Sequence, residues 1–149
     1  MTDAGPDAVR ASAHATPEGV SEETIEAVGK LSEAFEYAVR ARGHLYSFHQ
    51  LIGRADFLAE DAVSMLRDAG HGDLADRLQQ DLVGRNVLDG RWTFQVVEEF
   101  DSVYYEPFQT FDRTAREEIT GGVHHLYEAR LKEERRTHGR PHHQADPGD

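Results

Sequence analysis

Histidine and carboxylate side chains are the residues of this chain whose types and spacing could hold a metal ion. His49 falls on the apolar stripe of the first predicted helix, and His125 and Glu128 stand three residues apart, close enough to share one helix face. Helix bundles build mononuclear and di-iron sites from such inward-facing groups. The residues that could form an Fe, Zn or Mn site are His49, Glu99, Glu106, His125 and Glu128.

The same residues have an interpretation without metal. A single histidine on an apolar stripe is usually a core-edge residue whose ring nitrogens find hydrogen-bond partners. The ferritin-like pattern requires a Glu three residues before a His, and no Glu of this chain stands there. Adjacent His124 and His125 would point about 100° apart on a helix, so at most one faces inward. We therefore expect no cofactor and keep the metal site as an alternative.

Arg42 occupies a position on the same stripe where an aliphatic residue is expected. A buried charge without a partner costs several kcal/mol, so this arginine needs a carboxylate. The candidate partners are Glu98, Glu99 and Asp101. Two alternatives remain open: Arg42 could instead clamp a small anionic ligand in a pocket, or the arginine could lie half-exposed with its stem over apolar surface.

Aromatic residues are dense after the glycine-rich segment 84–91. Helical geometry cannot bury neighbouring aromatics on one face, so some aromatic surface should stay exposed, where Trp, Tyr and Arg favour protein interfaces. The residues that we predict to form an interaction surface are Arg85, Arg91, Trp92, Tyr105 and Phe108. The alternative is that the aromatic residues only fill a helical core.

Helix signals recur along the chain and predict the elements that position these residues. Ser21 is a predicted N-cap, Gly53 a predicted stop and Asp56 the cap of a second helix that ends near Gly70. Asp73 opens a short third helix. A fourth helix follows residue 91.

Two further signals concern the second half of the chain. Pro107 is predicted to end or kink the fourth helix, and Thr114 with Glu117 forms a capping-box pattern that opens the last one. The pattern predicts an all-α fold, a small four- to five-helix bundle over residues 21–137, with disordered polar tails over 1–20 and 138–149.

Composition excludes several classes of protein and site. The 149 residues include no cysteine, which excludes disulfides and thiolate metal sites, and the net charge of −12 disfavours nucleic acid and anionic membranes as partners. No signal-peptide pattern or apolar run of about 20 residues is present, which predicts a soluble cytoplasmic protein. The basic residues are 14 Arg and 2 Lys, a bias typical of high-GC bacterial genomes.

We predict a non-enzymatic protein-interaction or regulatory module that binds a protein partner or forms a homo-oligomer. No nucleophile–base spacing or cofactor fingerprint favours an enzyme. The first alternative is a metal-binding helical bundle with oxidoreductase or hydrolase activity, and the second is a binder of a small anionic ligand.

Overall fold

The computed structural model describes residues 14–146, and within this range the chain is all-α, as predicted. The four helical runs are α1 (Glu22–Asp68), α2 (Gly72–Asp81), a composite run of α3 (Thr93–Phe100), a π-helical segment (Asp101–Tyr105) and α4 (Glu106–Ile119), and α5 (Leu126–Arg135). The described residues form no strand and only an isolated bridge between Leu88 and Arg91. Of the two predicted tails, residues 1–13 and 147–149 lie outside the described range.

Helix α1 is a single helix of 47 residues. It begins after Ser21, whose Oγ accepts a hydrogen bond from the Thr24 amide at 3.2 Å, which confirms the predicted N-cap. The predicted stop at Gly53 is wrong, because one glycine costs a helix only about 1 kcal/mol and apolar packing on both sides outweighs that cost. The Asp56 carboxylate does not cap a helix; its Oδ1 accepts the Gly84 amide at 2.8 Å.

The end of α1 is the one that the sequence predicts. The chain turns at Gly70, whose φ of +90° lies in the left-handed region that glycine adopts without strain. Helix α2 follows after His71.

Helical backbone continues through Pro107, so the first of the two predicted alternatives, an end of the helix, is wrong. The amide of Glu106 donates to the Asp101 carbonyl five residues back, and this wider π-helical turn lies directly before the proline. A wider turn accommodates a residue that lacks an N–H and whose ring would meet the preceding turn. Thr114 lies inside α4 and opens no helix. Gly121 and Gly122, both at positive φ, instead separate α4 from α5.

The chain divides into two compact units. The terminal-segment unit contains the described residues up to Glu36 and those from Phe108 onward. Its buried apolar side chains include Ile25 and Leu126. A Cβ atom added at Gly29 would lie 3.1 Å from the Tyr127 Cβ, so α1 and α5 approach closely there.

The second unit, Tyr37–Pro107, holds most of the candidate site residues. Hydrogen bonds between α1 and the segment 84–101 join residue 42 to 101, residue 49 to 93 and residue 56 to 84. The partner's residue number in the segment 84–101 falls as the residue number in α1 rises. The segment 84–101 therefore runs antiparallel to α1. The buried apolar residues of this unit are Ala38, Val63, Ala75 and Val97.

Candidate functional site

Arg42 forms the most constrained ion pair of the 37–107 unit. Its Nε and Nη2 donate to the two carboxylate oxygens of Asp101 at 2.7 and 2.8 Å, a bidentate geometry. The guanidinium carbon also lies 5.0 Å from the Tyr46 ring centre and 5.1 Å from that of Tyr105. The arginine is therefore held by one carboxylate and two aromatic rings.

The partner of Arg42 is Asp101, one of the three candidate carboxylates, and not Glu98 or Glu99. Glu98 is exposed, and Glu99 binds Arg91 instead. Glu99 projects from another side of the helix. Glu98 and Asp101, three positions apart, lie on the same side, and Asp101 is the one that hydrogen-bonds with Arg42. A small anion at Arg42 would lie beside the Asp101 carboxylate, whose negative charge opposes its binding.

The Arg42 hydrogen bonds hold the pKa of the Asp101 carboxyl below its usual value. Such a group stabilises the fold fully above its unfolded-state pKa of about 3.9, and the contribution disappears as pH falls through the lower folded-state pKa. We expect Asp101→Asn to lower the melting temperature at pH 7, and the gap from wild type to shrink below about pH 4. Thermal melts between pH 2 and pH 8 measure this gap. A gap that is constant with pH would contradict the ion-pair assignment.

The histidine and carboxylate residues of the hypothetical metal site lie in both units. His49 Nδ1 shares a hydrogen bond of 2.6 Å with Thr93 Oγ1, and Glu106 is exposed. In the terminal-segment unit, His125 precedes α5 and its Nδ1 lies 3.7 Å from Glu128 Oε1. Within residues 14–146 no three or more His, Asp or Glu side chains are grouped to hold a metal ion.

Trp92 lies at the end of a well-defined turn. The amide of Leu88 donates to the Arg91 carbonyl at 3.2 Å, and the amide of Arg91 donates to the Leu88 carbonyl at 3.0 Å. Arg91 makes a bidentate pair with Glu99, which holds the pKa of that carboxyl below its usual value. The Trp92 amide donates to Gln95 Oε1 at 2.8 Å and so caps α3.

This turn presents apolar side chains to solvent. Trp92 is 38% exposed, and Leu88 and Phe94 on either side are also exposed. We call these three residues the Trp92 surface. Leu88 and Phe94 were missing from the predicted interaction surface, although the Asp89-Gly90 turn signal indicates that both flank a loop.

The other members of the predicted interaction surface have different environments. Arg85 is exposed and its Nη1 donates to the Asp81 carbonyl at 3.3 Å. Tyr105 is half-buried against Arg42. Phe108 belongs to the terminal-segment unit, where its ring centre lies 5.6 Å from that of Phe35. Four of the five residues thus lie in the 37–107 unit.

Comparison with known proteins gives no match. No protein family model, curated protein or solved structure is significantly similar to this chain.

Exposed apolar surface is the dominant feature of the 37–107 unit. Fifteen of its large hydrophobic side chains are exposed, against four buried hydrophobic residues. Helix α1 supplies eight of the fifteen. The inner stripe of α1 consists of buried and half-buried positions: Ala38, Arg42, Leu45, His49, Ile52, Ala59 and Val63. The predicted stripe of the first helix follows its first half, and a second apolar repeat one position earlier, beginning at Tyr37, indicates an outer face. No helix within residues 14–146 has the length and apolar character needed to cross a bilayer.

Proposed function

We propose that this chain is a non-enzymatic protein-interaction or regulatory module whose 37–107 unit binds other polypeptides. The observation that carries the proposal is the excess of exposed over buried large apolar side chains in that unit. Contiguous apolar surface on a folded domain marks interaction sites, because its burial by a partner is favourable by roughly 25 cal/mol per Å².

The Trp92 surface has the properties of a binding hot spot. Tryptophan and arginine dominate measured interface energies, and here Trp92 is adjacent to Arg91. The turn hydrogen bonds and the Arg91–Glu99 pair fix the backbone that carries the indole. A preformed surface loses little conformational entropy on binding, which favours a protein partner there.

Photo-crosslinking tests the proposal. A photoreactive phenylalanine analogue in place of Leu88, in the full chain and in its native cells, should give one ultraviolet-dependent adduct of defined mass. The Trp92→Ala substitution should reduce the yield of that adduct at least about tenfold, the loss expected when a hot-spot residue is truncated.

The matched control carries the same analogue at Gln80, an exposed position on α2. It should give no comparable adduct. Equal labelling from both positions, or no adduct from Leu88, would contradict the proposal. An adduct of twice the 16.7 kDa chain mass would identify a second copy as the partner, and another mass a different protein.

A further inference from the structure

The outer face of α1 carries a second apolar repeat. Its spacing alternates strictly between four and three residues, an average of 3.5, which is the repeat of a coiled-coil seam. The residues of this outer seam are Tyr37, Ala41, His44, Phe48, Leu51, Ala55, Leu58, Ala62 and Met65. All are exposed except Ala62, which is half-buried.

The outer seam lies next to the inner stripe and is separate from it. Arg42, His49 and Val63 of the inner stripe each follow an outer-seam residue by one position, and they are buried or half-buried within the 37–107 unit. By contrast, Leu51 is 68% exposed and Met65 is 71% exposed. The inner packing of the unit therefore leaves the outer seam without cover.

We propose that a second copy of this chain covers the outer seam, with the two α1 helices packed antiparallel about a twofold axis. The inference goes beyond the binding role of the Trp92 surface and uses different residues. A single self-complementary patch is the requirement for a twofold dimer.

Charge along the seam determines the antiparallel orientation. One flank of the outer seam is formed by positions that recur every seven residues. Its exposed charged residues are Arg40 and Arg54 toward the N-terminal end of the seam, and Asp61 and Asp68 toward the C-terminal end. Antiparallel helices allow Arg54 of each copy to meet Asp61 of its mate, which gives two opposite-charge pairs about the axis. Parallel helices would place His44 beside His44 and bring no opposite charges together.

Side-chain size fits the same register. Pairing Arg54 with Asp61 places Ala55 opposite Leu58 and Leu51 opposite Ala62 on both sides of the axis. A small residue then faces a large one in four central layers, the alternation that allows close packing of two helices. Phe48 and Met65 close the apolar segment at each end.

The area is sufficient for a specific dimer. The large outer-seam side chains are about three-fifths exposed on average. The large residues of the central layers are Phe48, Leu51, Leu58 and Met65, with roughly 100 Å² of exposed surface each. Together with the alanines between them, these residues of two copies would bury about 1,000 Å² in total, the size at which specific interfaces begin.

Charge reversal tests the pairing. We expect wild-type protein to be a dimer by light scattering at about 100 µM, and Arg54→Asp or Asp61→Arg alone to raise the dimer dissociation constant at least about tenfold. A one-to-one mixture of the two variants should restore dimers. At positions 54 and 61, the two acidic side chains of the Arg54→Asp chain then face the two basic side chains of the Asp61→Arg chain. Monomeric wild type, or a mixture that stays monomeric, would overturn the proposal.

Matched controls separate this face from general charge effects. Glu60→Arg makes the same change of charge as Asp61→Arg, at the neighbouring exposed position. Arg77→Asp makes the same change of charge as Arg54→Asp, at an exposed position of α2. Both controls should remain dimeric. Leu51→Glu should abolish the dimer while the circular dichroism spectrum stays helical, since Leu51 contributes little to the monomer core.

The absence of cysteine allows a direct test of orientation. A mixture of Leu51→Cys and Ala62→Cys chains should form a mixed disulfide on mild oxidation, because antiparallel packing places these residues in one layer. Homodisulfides of Leu51→Cys alone would show parallel packing and overturn the proposed orientation. The two proposals can fail separately. If the dimer is lost while crosslinking from Leu88 still gives an adduct whose mass is not that of two chains, the proposal for the Trp92 surface is still supported.

Discussion

Replacing Asp112 by Ala should lower the free energy of unfolding by about 3 kcal/mol, the cost of breaking a buried charge pair by removing one partner. Asp112 is 2% exposed in α4. Its Oδ1 accepts the Ser32 hydroxyl at 2.7 Å, and its Oδ2 accepts Arg116 Nη1. The substitution leaves the largely buried Arg116 guanidinium without this carboxylate and breaks a link between α4 and α1. Urea denaturation followed by circular dichroism measures the change.

Two controls define the origin of that effect. Ser32→Ala removes only the hydroxyl partner and should cost about 1 kcal/mol. Glu118→Ala changes an exposed carboxylate of the same helix and should stay within about 0.5 kcal/mol. If Asp112→Ala cost no more than Glu118→Ala, the buried Asp112–Arg116 pair would not stabilise the fold as predicted.

The Thr93→Val substitution should lower the free energy of unfolding by about 2 kcal/mol, although the two side chains have the same shape. Thr93 is 4% exposed, and its hydroxyl shares the 2.6 Å hydrogen bond with His49 Nδ1. Without the hydroxyl, the Nδ1 atom of His49 loses its hydrogen-bond partner at the contact between α1 and α3. The cost is that of an unsatisfied buried polar group, and denaturation followed by Trp92 fluorescence measures it.

A double-mutant cycle isolates this interaction. In a His49→Leu background no ring nitrogen remains, so Thr93→Val should cost less than about 0.5 kcal/mol. An equal cost in both backgrounds would show that the Thr93 hydroxyl stabilises α3 locally and that His49 has no part in it.

The two proposed surfaces have a joint consequence. A dimer joined along the outer seam would carry two copies of the Trp92 surface. Two linked sites bind a repeated or dimeric partner with an avidity that can exceed the single-site affinity by about 10²–10⁴. Outer-seam variants should then weaken binding to such a partner without changing the affinity of one Trp92 surface.

Local patterns in the sequence determined the secondary structure. Apolar residues at three- and four-residue spacing predicted helices throughout, and Ser21 and Gly70 marked the ends of α1, because capping depends on backbone groups within one turn. The same patterns placed Arg42 and His49 on an inward face. They also predicted that each would need a polar partner, since burial of an unpaired polar group is costly.

Only the tertiary structure decided which partners those residues have. Asp101 and Thr93 are distant in sequence from Arg42 and His49, and their pairing depends on the register of the segment 84–101 against α1. Packing also carried α1 through Gly53 and helical backbone through Pro107, because contacts along a helix outweigh one unfavourable residue. The exposure of the outer seam followed in the same way: its repeat is present in the sequence, but only the packed unit distinguishes the covered face of α1 from the free one.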